Sequence, residues 1–362
     1  MKKVFIFGYY GFKNIGDEAI LSSIIKTIRD LNIPIEISAL SYNVRYTEKI
    51  HNIKGIRRNN LKEILTTIKN SDLVISGGGS LLQDVTSSRS LIYYLGLIFL
   101  AKCFGKKVLF FSNGFGPVNK TINKYLVKHI VNKVDKIILR DYDSKDTMKD
   151  VGIKVDIEVT SDATYILEAS PREKIDTILS DENIPRNRPI VAISVRSWNF
   201  SNDFIKVMAN FSDYIVERGY TVLFVPMQIE KDTEISKKII KKMKNNAYII
   251  QREYTPQEIL GIIGVSYILI GMRLHSLIFA SIQNIPMMGI EYDPKIKSFL
   301  NMINQKNLGT PDELKLSFLC SEFDKLIKNY EHNLETVKSR SRILKNKTEA
   351  NKKCLYKIIS DI

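Results

Sequence analysis

Short apolar runs alternate with amphipathic stretches along the 362 residues of the chain. Runs rich in Val, Ile, Leu and Phe stand at 4–7, 35–40, 73–76, 107–112 and 136–140, and after a gap at 190–195, 221–226, 248–251, 267–270 and 287–291. Each has the length of a strand and is almost continuously apolar, which predicts strands buried on both faces. Between most of them apolar residues recur at helical spacing, as over 18–31 and 204–218. Alternating strands and helices predict an α/β fold with parallel sheets covered by helices on both faces. Two helix starts are chemically explicit. Thr255-Pro256-Gln257-Glu258 and Thr310-Pro311-Asp312-Glu313 each put Thr at the N-cap, Pro at the first helical position and Glu at the third, the pattern of a capping box.

The alternation breaks around 170–189, a polar stretch with Pro171, Pro185 and Pro189. Two doubly wound, Rossmann-like domains are expected, at 1–170 and 187–310, joined by a linker at 171–186 and followed by a helical tail at 311–362. Ligands of such sheets sit beyond the carboxyl ends of the strands. The expected site is therefore a cleft faced by both sets of strand ends.

With 44% hydrophobic and 26% charged residues, the chain reads as globular, which excludes disorder and collagen. Cys103, Cys320 and Cys354 are odd in number and form no C-x-x-C pair, so neither a disulfide framework nor a zinc site is signalled. A reducing, cytoplasmic compartment fits, and Met1-Lys2-Lys3 leads into an apolar run too short for an export signal. The longest apolar stretch, 91–101, falls well short of the roughly 20 residues a membrane span needs. It is expected as a buried helix, with a membrane-dipping helix as the other reading. The net charge of +15 implies anionic company. Ten Lys/Arg stand against three acids over 325–357, and Lys237, Lys238, Lys241, Lys242 and Lys244 form a second cluster. Solvated helix faces account for both; loose docking on an anionic membrane is the alternative, at about 1 kcal/mol per basic residue near the surface. No nucleic-acid motif accompanies the charge, so nucleic acid is not expected as a partner.

The strand ends carry the candidate chemistry. After the first strand comes Gly8-Tyr9-Tyr10-Gly11-Phe12-Lys13-Asn14-Ile15-Gly16-Asp17-Glu18. Glycines ahead of a helix let backbone N–H groups approach an anion or a sugar. Gly11 to Gly16 has P-loop spacing, but Asp17-Glu18 stands where Lys-Ser/Thr is required, and the dinucleotide pattern is missing too. Asp17 is read two ways, as a carboxylate at a helix start or as the partner of a sugar hydroxyl. The third strand ends in Ser76-Gly77-Gly78-Gly79 and leads on to Asp84, the fourth in Asn113-Gly114-Phe115-Gly116-Pro117, the fifth in Arg140-Asp141. Three consecutive glycines are costly in conformational entropy and point to a ligand passing close to the backbone. In the second domain cations stand at the strand ends: Arg196-Ser197-Trp198, and Gly271-Met272-Arg273-Leu274-His275-Ser276 at the start of a helix. Such a placement suits an anionic ligand, through the guanidinium and the free helix amides. The next strand ends in Glu291-Tyr292-Asp293-Pro294-Lys295. His51, His129 and His332 lie in polar or helical surroundings away from the glycine turns and are expected at the surface or in packing.

Taken together, the Gly8–Glu18 segment, Ser76 to Gly79 and Gly271 to Ser276, supported by Asn113 to Pro117, Arg140-Asp141 and Ser161-Asp162, resemble the polysaccharide pyruvyl transferases. The likeness is strongest to the branch that modifies secondary cell-wall polysaccharide for S-layer anchoring, and it spans about residues 1–300. It implies a fold similar to glycosyltransferase type B, phosphoenolpyruvate as co-substrate, a saccharide acceptor and a cyclic ketal product, with no metal and no other cofactor. It implies His275 and Arg273 as catalytic residues. The donor set it implies is Arg273, Leu274, His275 and Ser276, with Arg196 and Arg140 as further anion ligands. The acceptor set is Tyr10, Asn14, Gly16, Asp17, Gly77, Gly78, Gly79, Asp84, Asn113 and Glu291. The acceptor implied is N-acetylmannosamine on a lipid-linked precursor.

Two other functions fit parts of the same sequence. A sugar-nucleotide-dependent glycosyltransferase of the same architecture would use Glu291 on a ribose. A non-catalytic polyanion- or membrane-binding protein would use the charge alone, though it has no need of glycines and cations at strand ends.

Overall fold

The computed structural model describes residues 1–85, 87–197 and 202–362. It divides into two compact units: residues 1–13, 17–167 and 344–362 form the first, and residues 14–16 and 168–343 the second.

The first unit is built on a seven-stranded parallel sheet: β1 (Lys2–Phe7), β2 (Ile35–Ser41), β3 (Lys54–Arg57), β4 (Leu73–Gly77), β5 (Lys107–Asn113), β6 (Lys136–Leu139) and β7 (Ile157–Val159), in the order β3-β2-β1-β4-β5-β6-β7. The order reverses at β1 and β4, which run parallel with Phe7 opposite Ser76, so the Gly8–Gly11 and Gly77–Gly79 turns leave neighbouring strands. The helices are α1 (Ile15–Arg29), α2 (Val44–His51), α3 (Leu61–Asn70), α4 (Ser88–Cys103), α5 (Thr121–Val131) and α6 (Tyr142–Val151). One face of the sheet is packed by residues of α3, α4, α5 and α6 around Phe5, Val74 and Phe110. The other is packed by α1 through Ile20, Leu21 and Ile24, and by Leu355 and Ile359 near the end of the chain. The 91–101 stretch is a helix with Leu91, Leu95 and Ile98 buried, as its composition predicts.

The second unit holds α7 (Arg172–Asp181), β8 (Ile190–Ser194), α8 (Asn202–Glu217), β9 (Thr221–Phe224), α9 (Ile229–Lys242), β10 (Tyr248–Ile249), α10 (Pro256–Gly264), β11 (Ile268–Gly271), α11 (Leu274–Ile282), β12 (Met287–Gly289), α12 (Pro294–Ile303), β13 (Lys306–Asn307) and α13 (Leu316–Lys328). Its sheet is parallel, in the order β10-β9-β8-β11-β12-β13. A last helix, α14 (Tyr330–Ser360), lies in the second unit up to residue 343 and in the first from residue 344. The fold is thus an α/β architecture of two Rossmann-like, doubly wound sheets with a helical C-terminal tail.

Two local expectations change. The 171–186 stretch contains α7, because Ile175, Ile178 and Leu179 recur on one face and are buried while its charges stay outside. Thr255 and Glu258 form the capping box that the sequence predicts. At Thr310 the box does not close: the Thr310 hydroxyl donates to the Glu313 carboxylate at 2.7 Å instead of capping a backbone N–H, and the segment makes only a 3₁₀ turn. The end of the helical tail packs into the first unit. Asn351 accepts from the Thr160 hydroxyl at 2.7 Å and donates to Ser112 at 2.8 Å, and Leu355 is fully buried.

Candidate active site

In the first unit the glycine turns are held by buried polar contacts. The Gly11 N–H donates to Glu18 Oε1 at 2.8 Å, and Glu18 Oε2 meets His51 Nε2 at 2.9 Å. His51 therefore braces the first turn from inside, a packing role in a buried place. The Tyr10 hydroxyl donates to the Gly77 carbonyl at 2.6 Å, and burial, reinforced by the Asp17 and Glu18 charges, pushes its pKa well above the usual value. Gly78 and Gly79 have φ of 65° and 66°, a left-handed backbone that glycine adopts without a steric penalty. A β-carbon on Gly78 would also strike Ile20, and one on Gly79 would lie 3.3 Å from Asp17 Oδ1, so Asp17 borders this turn. The Gly114 N–H donates to the Gly79 carbonyl at 3.0 Å, tying the turns after β4 and β5 together. Beside them Asn113 Nδ2 reaches Ser76 and Gly78, while its Oδ1 is buried with no hydrogen-bond partner.

Two residues expected to hold ligand are otherwise engaged. The Asp84 carboxylate accepts from the Asn119 and Lys120 backbone N–H groups at 2.8 and 2.9 Å and from Asn123 Nδ2 at 2.9 Å. Burial opposes its ionisation, but these donors outweigh burial and hold the carboxyl below its usual range. Arg140 lies in the first unit, with Nη1 3.1 Å from Asp162 and Nε 3.5 Å from Asp141; its guanidinium borders Gly114.

In the second unit strand register organises the cations. Ser194 pairs with Gly271, and Gly271 with Gly289, on the adjacent strands β8, β11 and β12. Arg196, Arg273 and Glu291 each follow two residues later, so they form one row along the carboxyl edge of the sheet. Trp198 lies outside the described residues. Arg196 donates from Nη1 to the Tyr292 hydroxyl at 2.7 Å, with its guanidinium 4.5 Å from the centre of the Tyr292 ring. Glu291 accepts from Asn307 at 2.6 Å. Arg273 is the N-cap of α11, and Leu274, His275 and Ser276 are its first turn. Leu274 and Ser276 are buried, Ser276 through a hydroxyl bond to the Arg273 carbonyl at 2.6 Å, whereas His275 is partly exposed. The Ser276 N–H donates to the Arg273 carbonyl at 3.0 Å, and the start of α11 before it is a helix N-terminus, which favours an anion.

Arg273 is held by a partner that sequence reasoning missed. Its Nε and Nη2 meet the Asp232 carboxylate at 3.0 and 2.5 Å in a bidentate pair, and Asp232 is fully buried. The same carboxylate accepts from the Met227 and Gln228 N–H groups at 3.2 and 2.9 Å. Asp232 thus fixes both the guanidinium and the loop after β9. In sequence it is one acid in the first turn of a lysine-rich helix, with nothing to separate it from a macrodipole charge. Tyr292 was equally hidden; only its place after Glu291 signalled it. Asn14 and Gly16, grouped with the acceptor set, belong to the second unit: the Ile15 N–H donates to the Met227 carbonyl at 2.9 Å, and a β-carbon on Gly16 would fall on the His275 ring. The structure therefore gathers Arg196, Arg273, His275, Glu291 and Gly16 in one unit, and Tyr10, Asp17, Gly77, Gly78, Gly79, Asn113 and Arg140 in the other.

Among the described residues, no group of three His, Cys, Asp or Glu side chains is placed to hold a metal, and no helix is long and apolar enough to cross a membrane. A profile of the polysaccharide pyruvyl transferase family matches residues 14–294. No curated protein sequence matches the chain. Among solved structures, Anabaena Alr3699/HepE in complex with UDP-glucose is similar at 11% identity over 100% of both chains, with a TM-score of 0.66. The UDP-GlcNAc 2-epimerase of Neisseria meningitidis bound to UDP-GlcNAc is similar at 13% identity over 100% of both chains, with a TM-score of 0.67. A glycosyltransferase from Rickettsia africae is similar at 14% identity over 99% of this chain and 96% of its own, with a TM-score of 0.61. At such identities the likeness is one of fold, of glycosyltransferase type B.

Proposed function

The chain belongs to the polysaccharide pyruvyl transferase family, and from that premise we propose that it moves the enolpyruvyl group of phosphoenolpyruvate onto two hydroxyls of a cell-wall sugar. The products are a cyclic pyruvate ketal and free phosphate. The acceptor we propose is N-acetylmannosamine on a lipid-linked precursor of an S-layer-anchoring polysaccharide, handled in the cytoplasm at the inner membrane face.

The row of Arg196 and Arg273 with His275 in the first turn of α11 is the observation that carries this reading. Phosphoenolpyruvate bears a phosphate and a carboxylate, and two guanidiniums beside a helix N-terminus suit that pair of anions. Because Asp232 takes Nε and Nη2 of Arg273, the donor meets the remaining Nη1 and a fixed guanidinium plane. In the proposed chemistry a proton adds to the methylene carbon and makes it a methyl group, leaving an oxocarbenium-like centre at C2. One sugar hydroxyl adds there and gives up its proton. The C2–O bond to phosphate breaks, and the second hydroxyl closes the ring as its proton passes to the departing phosphate. His275 serves as the proton donor or as a cationic clamp on the phosphate, and Asp17 or Glu291 takes the hydroxyl proton. The glycine turns of the first unit receive the sugar. Proton transfer by a placed group contributes about 10²–10⁴-fold.

Phosphate release from phosphoenolpyruvate with an N-acetylmannosamine acceptor, read beside the acceptor's mass, tests the proposal. A mass gain of one pyruvate less one water supports it, with turnover in His275→Ala falling at least about a hundredfold. Near-normal turnover in that variant removes His275 as proton donor. No reaction, with thermal stabilisation by a nucleotide sugar instead, overturns the proposal in favour of glycosyl transfer.

A further inference from the structure

Along residues 85–134 the chain carries eight Lys/Arg and no Asp or Glu. This stretch makes α4, β5 and α5 of the first unit. β5 is buried apart from its first residue, so the cations stand at the surface, on the helices and their connections. Among the described residues, Arg89, Lys124, Lys128 and Lys133 pair with no carboxylate.

The same helices expose large apolar side chains. α4 buries Leu91, Leu95 and Ile98 and turns Ile92 and Phe99 outward, 50% and 46% exposed. α5 buries Val127 and Val131 and exposes Ile122 and Tyr125. Phe104 just beyond α4 and Leu61 at the start of α3 are exposed as well. Between α3 and α4 runs a groove of about 370 Å³ lined by Arg58, Leu61, Ile92, Tyr93, Gly96 and Leu100. Scattered exposed apolar residues are ordinary, but several on α4 and α5, in a stretch whose charged residues are all cations, mark a contact surface.

We propose that the outward face of α3, α4 and α5 docks on a bilayer surface rich in anionic lipid. The apolar side chains would enter the boundary between headgroups and acyl chains, and the unpaired cations would meet lipid phosphates. The basic tail, one of the two clusters for which membrane docking was the alternative reading, is a poorer candidate. Its Leu355 and Ile359 are buried in the core of the first unit, and Lys353 and Lys357 share their groove with Asp135, Glu158 and Asp361. The proposed face also adjoins the glycine turns, since Asp84 clasps Asn119, Lys120 and Asn123 at the start of α5. A lipid-borne substrate would emerge beside those turns. The docking face stands on its own side chains, however, and not on pyruvyl transfer.

Co-sedimentation of the full chain with phosphatidylcholine vesicles, with and without phosphatidylglycerol, tests it. The wild type is expected to bind the anionic vesicles, more weakly as salt rises, and to leave the neutral ones. Ile92→Asn with Phe99→Asn, and separately Lys124→Glu with Lys133→Glu, are each expected to weaken partitioning at least about tenfold. All four side chains are exposed, so thermal stability and turnover on a water-soluble acceptor should stay unchanged. Lys352→Glu with Lys353→Glu, on the tail, should leave binding intact. Equal binding to neutral vesicles, binding that survives both face variants, or loss confined to the tail variant overturns the proposal. So does a face variant that abolishes self-association or duplex-DNA binding while vesicle binding persists.

Discussion

Arg273 has the most consequential surroundings of any single residue. Two of its guanidinium nitrogens are taken by Asp232, so the charge offered to a ligand is that of a neutralised pair, and Arg196 is the other cation of the row. Breaking a buried pair by removing one partner costs about 3–5 kcal/mol, because the other charge stays desolvated. Asp232→Ala is therefore expected to lower unfolding free energy by about that amount. Adding Arg273→Met should recover much of the loss, since the stranded guanidinium is gone and Met fills similar space. Denaturant unfolding of the four chains of this cycle measures the coupling. Simple additivity of the two substitutions would show that the pair carries no such energy.

On the scale of elements, Gly16 and the first turn of α11, both in the second unit, constrain each other. Gly16 has no room for a β-carbon because the His275 ring lies there. Gly16→Ala is expected to cost about 1–3 kcal/mol by overpacking and to displace His275, cutting pyruvyl transfer together with stability. Gly96 in α4 gives the opposite sign, since a β-carbon there meets nothing within 4 Å. Gly96→Ala should stabilise by about 0.5–1 kcal/mol through backbone entropy and leave activity alone. Thermal melts and a turnover assay on the two variants compare a glycine required by a neighbour with one required by nothing. Elements are also where sequence patterns were legible: the apolar runs at 73–76 and 107–112 became β4 and β5 almost residue for residue. The same patterns did not extend to short edge strands such as β13, whose two residues carry no periodicity.

For the molecule as a whole, the last stretch of α14 is part of the first unit's core. Asn351 joins Thr160 to Ser112, and Ser161 bonds to the Leu344 carbonyl and the Thr348 hydroxyl at 2.7 and 2.6 Å. Leu355→Ala should therefore cost about 2–5 kcal/mol, whereas Ile343→Ala, at a half-exposed position on the same helix, should change stability by less than about 0.5 kcal/mol. Equal effects in denaturant unfolding would show that the packing of residues 344–362 carries no stability.

The amino-acid sequence by itself determined the alternation of strands and helices, because continuous apolar runs and period-3.6 patterns are local properties of a few consecutive side chains. It also determined that glycines and cations stand at carboxyl strand ends, and with them the family, since those short motifs are contiguous. The tertiary structure alone decided which distant segments share a neighbourhood. The Arg273–Asp232 pair spans 41 residues and the Glu18–His51 pair 33; residues 14–16 joined the second unit and residues 344–362 the first. None of these leaves a periodic trace, because each depends on which buried surfaces fit and which buried polar groups find partners.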